Sequence, residues 1–163
     1  MCIRDSHKGR SITYDVEQVG LNYRMDEIRS AIGRVQLDKL SDGNAKRKYH
    51  TEAYREELVD VPVELPFCNL EQGVTSSYHI MPILLPAHVT RVEVINALKE
   101  SGIQSSIHYP PFWGFKAYAS ITSKKEAPVV AEICERELTL PLYPTMSDQQ
   151  RKLVVASVKE AVS

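Results

Sequence analysis

Apolar positions along the chain follow two periods, and each marks where an element should lie. Met25, Ile28, Ala31, Ile32 and Val35 recur at three- and four-residue spacing, the repeat of one helix face. Asp26 suits the N-cap of that helix, because its carboxylate can accept from the free N–H groups of the first turn, and Glu27 suits the positive end of the dipole. Ser41-Asp42-Gly43-Asn44 interrupts the repeat, so a second helix is expected from about Ala45 to Leu58. Pro62 and Pro66 bracket a short extended piece. Tyr78 to Leu85 is apolar at successive positions and reads as a strand buried on both faces, with Pro82 pointing to an edge or a bulge.

Thr90-x-x-Glu93 matches a capping box, opening a helix through about Ser101 that Gly102 is placed to end. Ile103 to Tyr109 reads as a second strand, stopped by Pro110-Pro111. Pro128 fits the first turn of a helix over roughly 128 to 138. Leu140 to Pro144 is expected to be extended. Ser147-x-x-Gln150 opens a last amphipathic helix that should carry Leu153, Val154, Val158 and Val162 inward. Upstream, Ser11 to Val19 alternates weakly, and residues 1–6 do not connect in pattern to the residues after them. These six are expected to be a foreign leader, with residues 7–40 a joining segment containing the first helix and residues 41–163 a compact domain. Helices outnumber the strands and separate them. The expected class is α+β, a small sheet covered by helices rather than a doubly wound fold.

Charge narrows the partners. Lys and Arg number 20 against 21 Asp and Glu, a net charge of -1, so no strong field for nucleic acid or an acidic membrane is expected. The basic run Lys46-Arg47-Lys48 reads as a solvated helix face. Cys2, Cys68 and Cys134 are odd in number and lack C-x-x-C spacing, which argues against structural zinc and against a disulfide framework. The longest apolar stretch, Ile80 to Pro86, is too short to span a bilayer, and the N-terminus has no secretory h-region; a cytoplasmic location is expected.

Motifs for chemistry are few. There is no P-loop, no G-x-G-x-x-G after a strand, no H-E-x-x-H and no G-x-S-x-G. The histidines at 7, 50, 79, 88 and 108 do not pair at ligand spacing, so a metal site is not expected. His108 ends an expected strand before Tyr109-Pro110-Pro111, where an imidazole could either face a cleft or simply bond a local carbonyl. His79, inside an apolar run, reads as a satisfied core histidine. Asn22-Tyr23-Arg24 precedes a helix, a place that suits an anion because free N–H groups and the helix dipole favour negative charge there; a plain turn is the alternative.

Gly20-Leu21-Asn22-Tyr23-Arg24-Met25-Asp26-Glu27-Ile28, followed by Ala31-Ile32-Gly33 and Gln36-Leu37, resembles the start of the C-terminal region of sugar-nucleotide aminotransferases of the DegT/StrS family. Tyr78-His79, Gly102-Ile103 leading to Ile107-His108-Tyr109-Pro110-Pro111, and Leu138-Thr139-Leu140-Pro141-Leu142-Tyr143-Pro144 resemble later family segments in the same order. The resemblance runs over about residues 7 to 162. It implies the small C-terminal domain of a fold type I PLP-dependent aminotransferase, with a small, mainly antiparallel sheet covered by helices.

The resemblance also implies a whole enzyme that works as a homodimer. Such an enzyme moves an amino group, usually from glutamate, to a keto group of a nucleotide-linked sugar, using pyridoxal 5'-phosphate. Asn22 matches the family asparagine that reaches the neighbouring subunit's cofactor phosphate, and Arg24 follows in the same motif. His108, with Tyr109 beside it, matches the residues facing the sugar-nucleotide end of the cleft. The family's Schiff-base lysine belongs upstream of the matched segment, and Lys8, Lys39 and Lys124 stand in no matching context. This chain alone is therefore expected not to transaminate. The alternative is a free-standing, non-catalytic small domain that binds a partner or ligand.

Overall fold

The computed structural model describes residues 23, 25–118 and 127–163. Among them, helix α1 (Glu27–Glu57) opens where the sequence places it, with Asp26 Oδ1 accepting the Arg29 N–H at 2.8 Å. It then runs unbroken through Ser41-Asp42-Gly43-Asn44, so one helix of 31 residues stands where two were expected. One mid-helix glycine costs only about 1 kcal/mol. Local side chains offset it: Lys46 pairs with Asp42 at 2.7 Å, and the Asn44 amide oxygen accepts from Arg47. By internal packing the chain divides into Met1–Leu40 and Ser41–Ser163. In the described part of the first unit, the stripe of Met25, Ile28, Ile32 and Val35 is exposed. In the second unit, α1 buries His50, Thr51 and Tyr54.

The core of that second unit is built on two short antiparallel strands, β1 (Met81–Leu84) and β2 (Glu137–Leu140), registered Met81 to Leu140 through Leu84 to Glu137. β1 is shorter than expected because Tyr78 has φ 50°, a left-handed backbone that no strand contains. Its burial also alternates. Met81, Ile83 and Leu85 enter the core, while Pro82 and Leu84 are half-buried.

β2 was not expected, since its first residues were assigned to the preceding helix. Helix α3 (Pro128–Arg136) in fact stops at Arg136, and Glu137 turns extended with φ -65° and ψ 133°. Arg91 closes that junction by donating to the carbonyls of Cys134 and Glu137. The expected strand over 103–109 contracts to one bridge, in which Ser106 exchanges both backbone bonds with Thr139 at 3.1 and 2.8 Å. Glu64 does the same to Leu84 at 2.9 Å. Across the sheet the order is Glu64, β1, β2, Ser106. Leu84 turns its N–H and C=O toward Glu64, so Pro82, two residues earlier, turns its missing donor to that same outer edge.

Helix α2 (Arg91–Glu100) starts at the expected place but without the capping box, for Thr90 makes no side-chain cap bond. Its end is firmer. Gly102, at φ 73°, lets its own N–H reach Lys99 O at 3.0 Å and the Ile103 N–H reach Leu98 O at 2.8 Å, the Schellman arrangement. Helix α4 (Asp148–Ala161) has a complete capping box between Ser147 and Gln150. Val154, Val158 and Val162 point inward as expected, but Leu153 is 51% exposed and Val155 takes the inward place instead. α2 and α4 pack on one another around Val94, Leu98, Val154 and Val158.

One charged residue is buried against α4. Arg151, 4% exposed, donates to Glu57 at 3.0 Å, to Asp148 and to His50 Nδ1 at 3.1 Å, tying α1 to α4. Tyr54 beside it is wholly buried, its hydroxyl donating to Pro141 O at 3.0 Å, and burial pushes the phenol's pKa up.

Replacing Gly102 by Ala should cost about 1–2 kcal/mol in urea unfolding, because an L side chain is strained at that φ. Arg151→Met should cost about 2–4 kcal/mol by leaving Glu57 without its partner. The Arg151 hydrogen bond also holds the Asp148 carboxyl below its ordinary value of 3.8. The unfolded chain therefore binds the extra proton. This contribution is present above that pH and is lost as pH falls below it, so Arg151→Met should flatten the acid limb of the stability profile.

Candidate functional site

A second cluster of polar groups gathers where the bridge at Ser106 meets β2. That bridge brings the chain past Thr139 and leaves His108 opposite Glu137. The His108 backbone N–H donates to Glu137 Oε2 at 3.0 Å, and His108 Nδ1 lies 3.0 Å from Thr139 Oγ1. The Thr139 hydroxyl in turn donates to Glu137 Oε1. Glu137 is 6% exposed and Thr139 4%, so a carboxylate is buried here, held by two neutral donors. His108 itself is half-buried and its ring stands edge-on to Tyr109 at 5.0 Å.

A cleft of about 260 Å³ opens at this cluster, lined by His79, Gln104, Ser106, His108 and Thr139 above Leu140. It presents imidazole, amide and hydroxyl groups, and among the described residues its wall has no lysine or arginine. A larger cleft of about 490 Å³ adjoins it, between the Gly102–Ser106 segment and α4. Its wall is mostly apolar, and among the described residues it holds no titratable side chain other than Tyr143.

Of the residues expected to matter, His108 faces a cleft rather than a solitary carbonyl, and Tyr109 stands beside it with 74% exposure. His79 is exposed and lines the same cleft, which corrects its reading as a core histidine; the turn at Tyr78 lifts it out of the strand. Asn22 and Arg24 lie outside the described residues. Glu137 and Thr139 were missed. The signal for Thr139 was the β-branched residue within Leu138-Thr139-Leu140, whereas nothing in the sequence marks Glu137 as buried. Among the described residues no three His, Cys, Asp or Glu side chains cluster to hold a metal, and no helix is long and apolar enough to cross a membrane.

Residues 2–159 match the profile of the DegT/DnrJ/EryC1/StrS aminotransferase family, and the chain belongs to that family. Among curated relatives it is 32% identical over 154 residues to the erythromycin biosynthesis sensory transduction protein EryC1 of Saccharopolyspora erythraea, covering 93% of this chain and 41% of that one. It is 30% identical over 160 residues to dTDP-4-dehydro-2,3,6-trideoxy-D-glucose 4-aminotransferase of Saccharopolyspora spinosa, covering 97% and 40%. Among solved structures it resembles the PMP form of the putative sugar aminotransferase Spr1654 of Streptococcus pneumoniae, with a TM-score of 0.83, 25% identity, and coverage of 93% of this chain and 38% of that chain. The chain thus spans about 40% of the length of the relatives it matches. Its α+β architecture, with a two-stranded antiparallel sheet under helices, is that part of the fold type I aminotransferase structure.

Removing the Thr139 hydroxyl would leave a buried Glu137 oxygen without a donor. Thr139→Val should therefore destabilise by about 1–3 kcal/mol in thermal or urea unfolding, while Thr139→Ser, which keeps the hydroxyl, should lose clearly less.

Proposed function

We propose that this chain is the C-terminal part of a PLP-dependent aminotransferase acting on a keto group of a nucleotide-linked sugar, with glutamate as the amino donor. The observation that carries the proposal is the family match over residues 2–159, joined to a polar cleft whose histidine is fixed by buried partners. The assembly is a homodimer in a cytoplasmic setting. The exposed stripe of Met25, Ile28, Ile32 and Val35 supports this reading, since a contiguous apolar helix face calls for cover.

The cofactor does not fit the cleft at His108. Among the described residues that wall offers nothing cationic for a phosphate and no amine for a carbonyl. In the proposal the phosphate belongs to Asn22 and Arg24, which precede the helix in sequence. The Schiff-base lysine lies in the remainder of the protein, and this chain alone does not transaminate. When bound, PLP supplies the electron sink that makes amino transfer possible. This chain's residues do the positioning. His108 and Tyr109 meet the sugar end of the substrate, and the apolar floor at Leu140 and Pro141 restricts water beneath it.

The test uses the protein that contains this chain together with its upstream portion. That protein should bind PLP with a visible absorption band, and Asn22→Ala should weaken cofactor retention by about tenfold, the loss of one charge-assisted contact. A protein that takes up no PLP sinks the aminotransferase reading; unchanged retention in the variant removes Asn22 from the cofactor site.

A further inference from the structure

His108 does not stand alone, and its partners determine which of its ring nitrogens carries the proton. Glu137, as a carboxylate, can only accept. Its Oε2 takes the His108 backbone N–H, and its Oε1 takes the one proton of the Thr139 hydroxyl. That hydroxyl then has only lone pairs left for the 3.0 Å contact with His108 Nδ1. The contact is a hydrogen bond only if Nδ1 carries the hydrogen. In neutral His108 this leaves Nε2 as a bare acceptor, and among the described residues Nε2 has no hydrogen-bond partner.

We propose that Glu137 and Thr139 are positioning residues that lock His108 in the Nδ1–H tautomer, so that His108 receives a hydrogen bond from a sugar hydroxyl or amino group of the ligand and not a contact to phosphate. This deepens, and in its ligand part rests on, the nucleotide-sugar reading above. A phosphate oxygen offers only lone pairs at neutral pH, and two acceptors facing one another repel. A hydroxyl can turn its hydrogen to Nε2. The cleft wall agrees with this selection, because Ser106 and Gln104 beside His108 are also groups that bind neutral, hydroxyl-bearing ligands.

The relay can be reversed by one substitution. In Glu137→Gln the amide oxygen must still accept from the His108 backbone N–H, which turns the amide NH2 toward Thr139. The hydroxyl then accepts from that NH2 and donates to Nδ1, and the proton of the neutral ring moves to Nε2. Histidine side-chain 1H–15N correlation spectra of the 163-residue chain at mildly alkaline pH distinguish the two forms, with His108 assigned by its absence in His108→Ala. The expected result is the Nδ1–H form in the wild type and the Nε2–H form in Glu137→Gln. A wild-type His108 in the Nε2–H form overturns the relay even if the variant fails to fold, and so does a folded variant with an unchanged tautomer.

The ligand part is read in the PLP-loaded protein that contains this chain. Binding of dTDP-glucose and UDP-N-acetylglucosamine is compared with that of the corresponding free nucleoside diphosphates. His108→Ala should weaken the sugar nucleotide that binds by about tenfold, one hydrogen bond's worth, and leave its free nucleotide within about twofold. Equal losses for both place the contact on phosphate and overturn the hydroxyl assignment. If neither sugar nucleotide binds the wild-type protein, the nucleotide-sugar reading fails and takes the hydroxyl contact with it; the tautomer spectrum decides the relay on its own.

Discussion

A strand buried along its whole length must satisfy every backbone polar group by pairing, and β2 meets that demand with only four residues. On one edge it takes β1 in register; on the other it takes Ser106. The rest of the second unit depends on this. The Ser106 bridge fixes the segment that leaves the Schellman turn at Gly102, and so fixes where His108 arrives. Ile83 of β1 and Leu85 just after it share one core cluster with Val94 and Leu98 of α2 and Val154 and Val158 of α4. Arg91 seals the α3–β2 junction, because a helix end leaves carbonyls without an intrahelical donor.

Local chemistry was the legible part of the sequence. Asp26, Pro128, Gly102 and the Ser147–Gln150 pair sit where side chain and backbone meet within one turn, and each marks an element end as read. What failed depended on whether side chains found partners, near in the sequence as at Ser41 to Asn44 or far from it as at Glu137. Ser41 to Asn44 looks like a break only if the helix has no neighbouring side chains to support it. Glu137 looks like a helix residue until Ser106 and Met81 to Leu84 arrive on either side of it. Thr90 and Glu93 satisfy a pattern without making its bonds, since a spacing permits a capping box but does not compel one.

The candidate site was legible to a similar depth. His108 stood out by its position before two prolines, and the family resemblance gave it a role. The groups that orient it come from 29 and 31 residues farther along the chain and were invisible, because nothing local distinguishes a buried glutamate from an exposed one. A carboxylate placed in such a position commits the surrounding donors in one direction. The side chains around it are therefore not interchangeable polar filler.

Pro82 carries a different implication. A sheet this small ends in an open margin, and an open margin is where a strand from another molecule can add itself. Among the described residues, beyond the Glu64 bridge the bonding position on the outer side of β1 belongs to a residue with no hydrogen to give. An incoming strand would find one acceptor and no donor there, and the ladder could not continue. The proline in this strand thus also guards it, discouraging edge-to-edge aggregation.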